Sequence, residues 1–124
     1  MMNVHDQGEG MFGRGVKQFN SGQFFEAHET WEEIWLAAQE PERTFLQGII
    51  QVSAAFHHYQ RGNRAGAHSL LEAGLNKLDR FPAAHRGIQL DELRAAGKRW
   101  VAELAGGRSP GNEQFPHIRP APES

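Results

Sequence analysis

RTFLQGIIQVSAAFHHYQ, residues 43–60, carries apolar side chains on two adjoining stripes. Phe45, Ile49, Val52, Phe56 and Tyr59 recur at helical spacing, and Leu46 with Ile50 forms a second stripe beside them. A helix that is apolar on more than one side is surrounded by others, so this segment reads as the central helix of an all-α fold. Outward from it the same period marks helices at about 11–20, 23–39, 64–80 and 89–104, with no strand alternation. The last of these shows a narrower stripe, Leu90, Leu93, Trp100 and Leu104, as expected of a covering helix with one buried face. The breaks have chemical causes: NSG at 20–22, EPE at 40–42, GN at 62–63 and FPAAHRG at 81–87. Asn63 can cap the fourth helix, Gly62 can close the third in a left-handed conformation, and Pro41 suits a first-turn position that needs no donor. Connections this short force neighbouring helices antiparallel, which gives a compact bundle of four to five helices.

An internal echo supports helix hairpins. FNSGQFFEAHETWEE from Phe19 aligns with YQRGNRAGAHSLLEA from Tyr59, so that Gly22 matches Gly62, Ala27 matches Ala67, His28 matches His68 and Glu32 matches Glu72. Two such units fall short of the usual stacked array.

At 124 residues the chain holds one domain, with 13 Lys and Arg against 15 Asp and Glu. That balance offers no basic surface for a nucleic-acid backbone or an anionic membrane, so neither is expected as a partner. The absence of cysteine excludes disulfides, thiolate metal sites and a cysteine nucleophile. MMNVHDQGEG has no apolar core and is expected to be neither signal peptide nor anchor, which points to a cytoplasmic location. The expected division is a flexible N-terminal segment at 1–10, a helical domain at 11–105 and a Pro/Gly-rich tail at 106–124. Four of the six prolines lie in the tail, yet Phe115 and Ile118 give part of it a reason to fold back onto the body.

The chemistry concentrates in FFEAHETWEEIW, residues 24–35. Positions 24, 28, 31, 35 and 38 share a helical face, which makes Phe24, His28, Trp31, Trp35 and Ala38 the expected inward stripe. Glu32 lies one turn after His28, close enough for a hydrogen bond or for both to bind one cation. On the facing helix Gln47, Gln51, Ala54 and His58 form a polar seam, with Gln51 level with the His28–Glu32 segment and Arg43 placed to neutralise an acid at the seam's lower end. One reading is a structural network in which His28, Glu32, Gln51 and Arg43 satisfy one another and fix helix register. The other is a divalent-metal site with His28 and Glu32 as ligands, His58 or His57 completing it, and Glu29 in reserve as acid or base beside Glu32. HETWE is neither the HExxH of zinc proteases nor the paired Glu-x-x-His of di-iron bundles. Trp31 and Trp35 read as core residues that could also line a small pocket.

Two motifs carry a family resemblance: the spacing His28, Glu32, Trp35, and the run Leu46, Gln47, Gln51, His58 before Gly62 and Asn63. On them residues 15–80 resemble domain-of-unknown-function family 309. The resemblance implies an all-helical bundle whose histidine–glutamate motif binds metal, and some members carry the label of a metal-dependent hydrolase. The alternative is a non-enzymatic interaction module with a homodimer or a peptide as partner, its polar seam serving register alone.

Overall fold

The computed structural model describes residues 4–122, with side chains from residue 10 onward; residues 1–3 and 123–124 of the expected terminal segments lie outside the described residues. Five α-helices follow one another among them: α1 (Val4–Asn20), α2 (Phe24–Ala37), α3 (Glu42–Gln60), α4 (Arg64–Leu78) and α5 (Leu90–Ala105). The all-α class is the one expected. Helix α1 starts at Val4 and so includes residues 4–10. Each glycine there costs a helix about 1 kcal/mol, too little to stop one whose later turns are anchored by the buried Phe12 and Phe19.

Helices α1 and α2 form one hairpin and α3 and α4 another, and their turns match bond for bond. Ser21 N–H donates to the carbonyls of Lys17 and Gln18, as Arg61 does to His57 and His58. Gly22 donates to Phe19 and Gly62 to Tyr59; Gln23 donates to Gln18 and Asn63 to His58. Gly22 and Gly62 sit at φ 79° and 82°, the left-handed region that closes a helix without penalty only for glycine. The forty-residue echo is therefore structural. It differs at the cap, where the Asn63 side chain accepts from Gly66 N–H at 2.9 Å and Gln23 makes no side-chain cap bond.

Helix α3 is central, as its two stripes require, with Phe45, Leu46, Ile49, Val52 and Phe56 all buried. Its contact with α4 is so close that a Cβ on Gly74 would lie 2.7 Å from the Gly48 carbonyl oxygen. Helix α2 is pinned on both sides: Trp31 Nε1 donates to Phe12 O at 3.1 Å in α1, and Ser53 Oγ of α3 donates to Phe24 O at 2.7 Å.

One feature departs from the expected pattern. The break at 81–87 contains a small antiparallel hairpin, β1 (Ala84–His85) and β2 (Ile88–Gln89), turned by Arg86 and Gly87 at φ 51° and 78°. Beyond α5 the tail folds back on the two residues that gave it reason to, with Ile118 buried and Phe115 packed on the core. Its prolines exclude a long helix; the strap makes one 3-10 turn at Asn112–Gln114 and is otherwise irregular, held by side chains and by main-chain bonds to the β-hairpin.

Because the two turns share one backbone geometry, Asn63→Ala should cost about 1 kcal/mol in chemical denaturation, and Gln23→Asn should add about 0.5–1 kcal/mol by supplying the cap the first hairpin lacks. Gly74→Ala should destabilise by about 2 kcal/mol, since a rigid backbone clash outweighs the gain in helix propensity. Gly13→Ala, whose Cβ meets nothing within 4 Å, should stabilise by about 0.5–1 kcal/mol in the same assay.

Candidate functional site

The buried residues of α2 are Phe24, Ala27 and Trp31, with Ile34, Trp35 and Ala38 packed partly against the core. The inward stripe is thus rotated from the expected one. Ala27, small enough to bring α2 close to its neighbours, takes the central place assigned to His28. His28 lies on the flank with 24 % of its side chain exposed, and its Nε2 meets Glu32 Oε1 at 2.5 Å. Its Nδ1 lies 3.4 Å from the Phe25 carbonyl oxygen, a long contact. A histidine so placed has a carboxylate and water as partners and is not an orphan of the core. The equivalent pair in the second hairpin, His68 and Glu72, sits at 3.6 Å with both side chains more exposed.

The facing helix does not complete the expected network. Arg43 does not reach Glu32: its Nη1 donates to the Trp35 and Ala38 carbonyls at 3.0 and 3.4 Å, and its guanidinium lies 3.8 Å over the Trp35 ring. There it caps the carbonyl end of α2, where a cation complements the helix dipole. Gln47 is exposed, and Gln51 is half-buried with its Oε1 shielded from water and lacking a hydrogen-bond partner. Trp35 Nε1 is in the same state. His58 faces the turn of its own hairpin, its Nδ1 3.1 Å from Asn63 Nδ2.

The histidine that does face α2 is His57, whose ring stacks at a tilt on Phe25 with centroids 5.1 Å apart. Burial holds its pKa below the ordinary histidine value; Arg61, His58 and His28 push the same way and Glu26 opposes them. The seam spacing 47, 51, 54, 58 points to His58, whereas the rotation of α3 presents its neighbour His57 to α2.

Glu29 points away from the pair, into a cleft of about 300 Å³ between α1 and α2 that it shares with Glu26, Glu33 and Arg14. Trp31 is wholly core. Among the described residues no three His, Asp or Glu side chains converge as they would around a metal ion. The donors near His28 therefore do not fit a closed or catalytic zinc site, which takes three protein ligands. One cluster escaped the sequence reading. His85, assigned to a linker, meets Glu42 Oε1 at 2.7 Å while Arg86 meets Glu42 Oε2 at 3.3 Å, which ties the β-hairpin to the start of α3. The dipeptide Arg86-Gly87, both residues at positive φ, was the available signal for that turn.

The chain is similar to two longer proteins. An uncharacterized protein of Aquifex aeolicus (strain VF5) is 32% identical over 95 residues, 76% of this chain and 27% of that protein. The uncharacterized protein YpuF of Bacillus subtilis (strain 168) is 34% identical over 67 residues, 53% of this chain and 37% of its own length. The chain thus spans well under half of either relative. Residues 12–70, which hold the second half of α1, all of α2 and α3 and the His28–Glu32 pair, match the family described as Domain of unknown function (DUF309).

Proposed function

We propose that this chain is a protein-interaction module that docks a basic amphipathic segment of a partner on the outer face of α2. One observation carries the reading: among the described residues the large apolar side chains left exposed are Phe25, at 43 %, and Leu36, at 71 %, both on α2. Eleven residues apart, they stand on one face about 16 Å from each other along the axis. Between them lie Glu29 and Glu32, with Glu26 and Glu33 on the edge that lines the α1 cleft beside Arg14, and α2 itself contains no Lys or Arg. Two apolar anchors framing an acidic strip match a partner helix with apolar residues at the same spacing and Lys or Arg between them. A second copy of the chain would bring like charges together, which disfavours self-association here. The His28 contact holds Glu32 in place on this strip. That matching relatives carry the fold as a minor share of a longer chain suits a module that positions one protein against another.

A photo-reactive side chain at position 36 of the full chain tests this in cells of its source. The crosslinked partner segment is expected to be helical and rich in Lys or Arg. With that purified partner, Phe25→Ser and Leu36→Ser should each weaken binding about tenfold or more, and Glu29→Lys with Glu32→Lys should slow association, while folding stability changes by about 0.5 kcal/mol or less. Crosslinks at position 36 no stronger than at the exposed Glu72 of α4, or unchanged binding by all variants, would sink the reading.

The other reading, a divalent ion on His28 and Glu32 serving a hydrolase in which Glu29 and Glu32 act as acid and base, draws on the family motif and on the 2.5 Å approach of the two donors. It separates cleanly from docking. The docking reading expects the melting temperature of the tag-free protein to ignore zinc, manganese, nickel and chelator alike. A metal-dependent rise that both His28→Ala and Glu32→Gln abolish would favour the ion.

A further inference from the structure

The segment after α5 is held in an unusual way for a chain end. Side chains of four helices bond its main chain. Arg64 donates to Arg108 O at 2.6 Å, Tyr59 Oη to Pro110 O at 2.6 Å, and Trp100 Nε1 to Gln114 O at 3.0 Å. Asn20 grips residue 118 on both sides, its Nδ2 donating to Ile118 O at 2.9 Å and its Oδ1 accepting from Ile118 N–H at 2.7 Å. Bonds to backbone groups read the course of the main chain, which here includes one 3-10 turn at Asn112–Gln114, and not its sequence, which is the logic of peptide recognition by main-chain contacts.

Sequence enters at two points. The Phe115 ring stacks on Trp100, with centroids 5.0 Å apart and planes 3° from parallel, and meets Phe24 edge-on at 4.9 Å. Ile118, three residues on, is buried. Between them Pro116 is buried and His117 exposed, so the docked core reads aromatic, proline, any residue, aliphatic. The strap does not fill its bed. A cleft of about 380 Å³ opens on the α1 side of Phe115 and Pro116, and one of about 430 Å³ on the α5 side. At the strap's root Gly106 and Gly107, the latter at φ 78°, form a natural hinge.

We propose that the face shared by α1, α3 and α5 is a peptide-binding groove, filled in cis by the chain's own tail, which accepts an extended partner segment of the same aromatic-Pro-x-aliphatic chemistry when the tail swings out. The groove lies on other residues than the acidic face of α2, so it stands whether or not that face docks a partner. A tethered tail competes at an effective concentration of about a millimolar, which keeps the groove closed to weak ligands and open to those that outbid it.

The probe is a fluorescently labelled synthetic peptide of residues 110–122, titrated by polarisation into two full-length proteins: wild type, and Phe115→Ala with Ile118→Ser, whose tail has lost both anchors. The double variant should keep its helical circular dichroism and bind the peptide saturably, at least about tenfold more tightly than wild type does. Asn20→Ala added to the double variant should weaken that binding. A folded double variant that does not bind, or one that binds no better than wild type, would overturn the proposal. If the double variant does not fold, wild-type protein cut at a protease site engineered between residues 107 and 110 takes its place. Its severed tail should exchange with labelled peptide, and a cut protein that never exchanges would refute the groove. A wild-type dimer that grows with concentration and disappears in the double variant would assign the occupant to a second copy's tail and overturn the partner assignment.

Discussion

Phe56 of α3 is the point at which α1, α2, α5 and the tail meet. Its ring is edge-on to Phe19 of α1 at 6.0 Å, to Trp100 of α5 at 5.1 Å and to Phe115 of the tail at 5.4 Å, and lies tilted against Phe24 of α2 at 5.3 Å. A helical hairpin alone cannot bury both of its faces. By setting one ring where α1, α2 and α5 converge, the sequence makes the burial of these helices conditional on one another, and the strap adds Phe115 to the ring's remaining edge. Burial of such a ring contributes about 2–3 kcal/mol by area alone, and each favourable aromatic pair adds about 0.5–1.5 kcal/mol.

The exposure of the α2 face follows from this arrangement. Helix α2 gives one flank to α1 through Trp31 and another to α3 through Phe24 and Trp35, which leaves a third side without a covering element. Leu36 stands on that side, and Phe25 at its edge, where its ring also meets His57 of α3. The family motif spans the boundary between the two regimes: Trp35 is packed and serves the end of α2, whereas His28 and Glu32 pair on the flank.

The fold could be read in the sequence because its signals are local. Asn63, Gly62 and the doubled stripe of α3 act within one or two turns of themselves, and all three do what their chemistry indicates. The site was harder to read because it depends on rotation. A period of 3.6 residues defines a stripe but leaves its phase open by one position, and Ala27, being small, gave no sign that it held the place assigned to His28. The same ambiguity exchanged His58 for His57. Long-range holds were invisible for a different reason: the donors that secure the strap, Asn20, Tyr59 and Trp100, lie far from it in sequence, and an extended segment has no periodicity of its own. Arg43 was misplaced because a carbonyl cap competes with an ion pair for the same guanidinium, and the cap lies nearer.

The two bonds between Asn20 and residue 118 join positions 98 apart in the chain, whereas each helical hairpin closes over a turn of a few residues. Loop-closure entropy rises with the length enclosed, and here the loop is nearly the whole molecule. The hairpins can therefore assemble early from local contacts, and the strap docks only after α1, α3 and α5 have come together to form its bed. The order reverses on opening. The last segment to arrive is the first whose release leaves the remaining contacts intact, so the strap is the part of the molecule able to come and go while the hairpins remain folded.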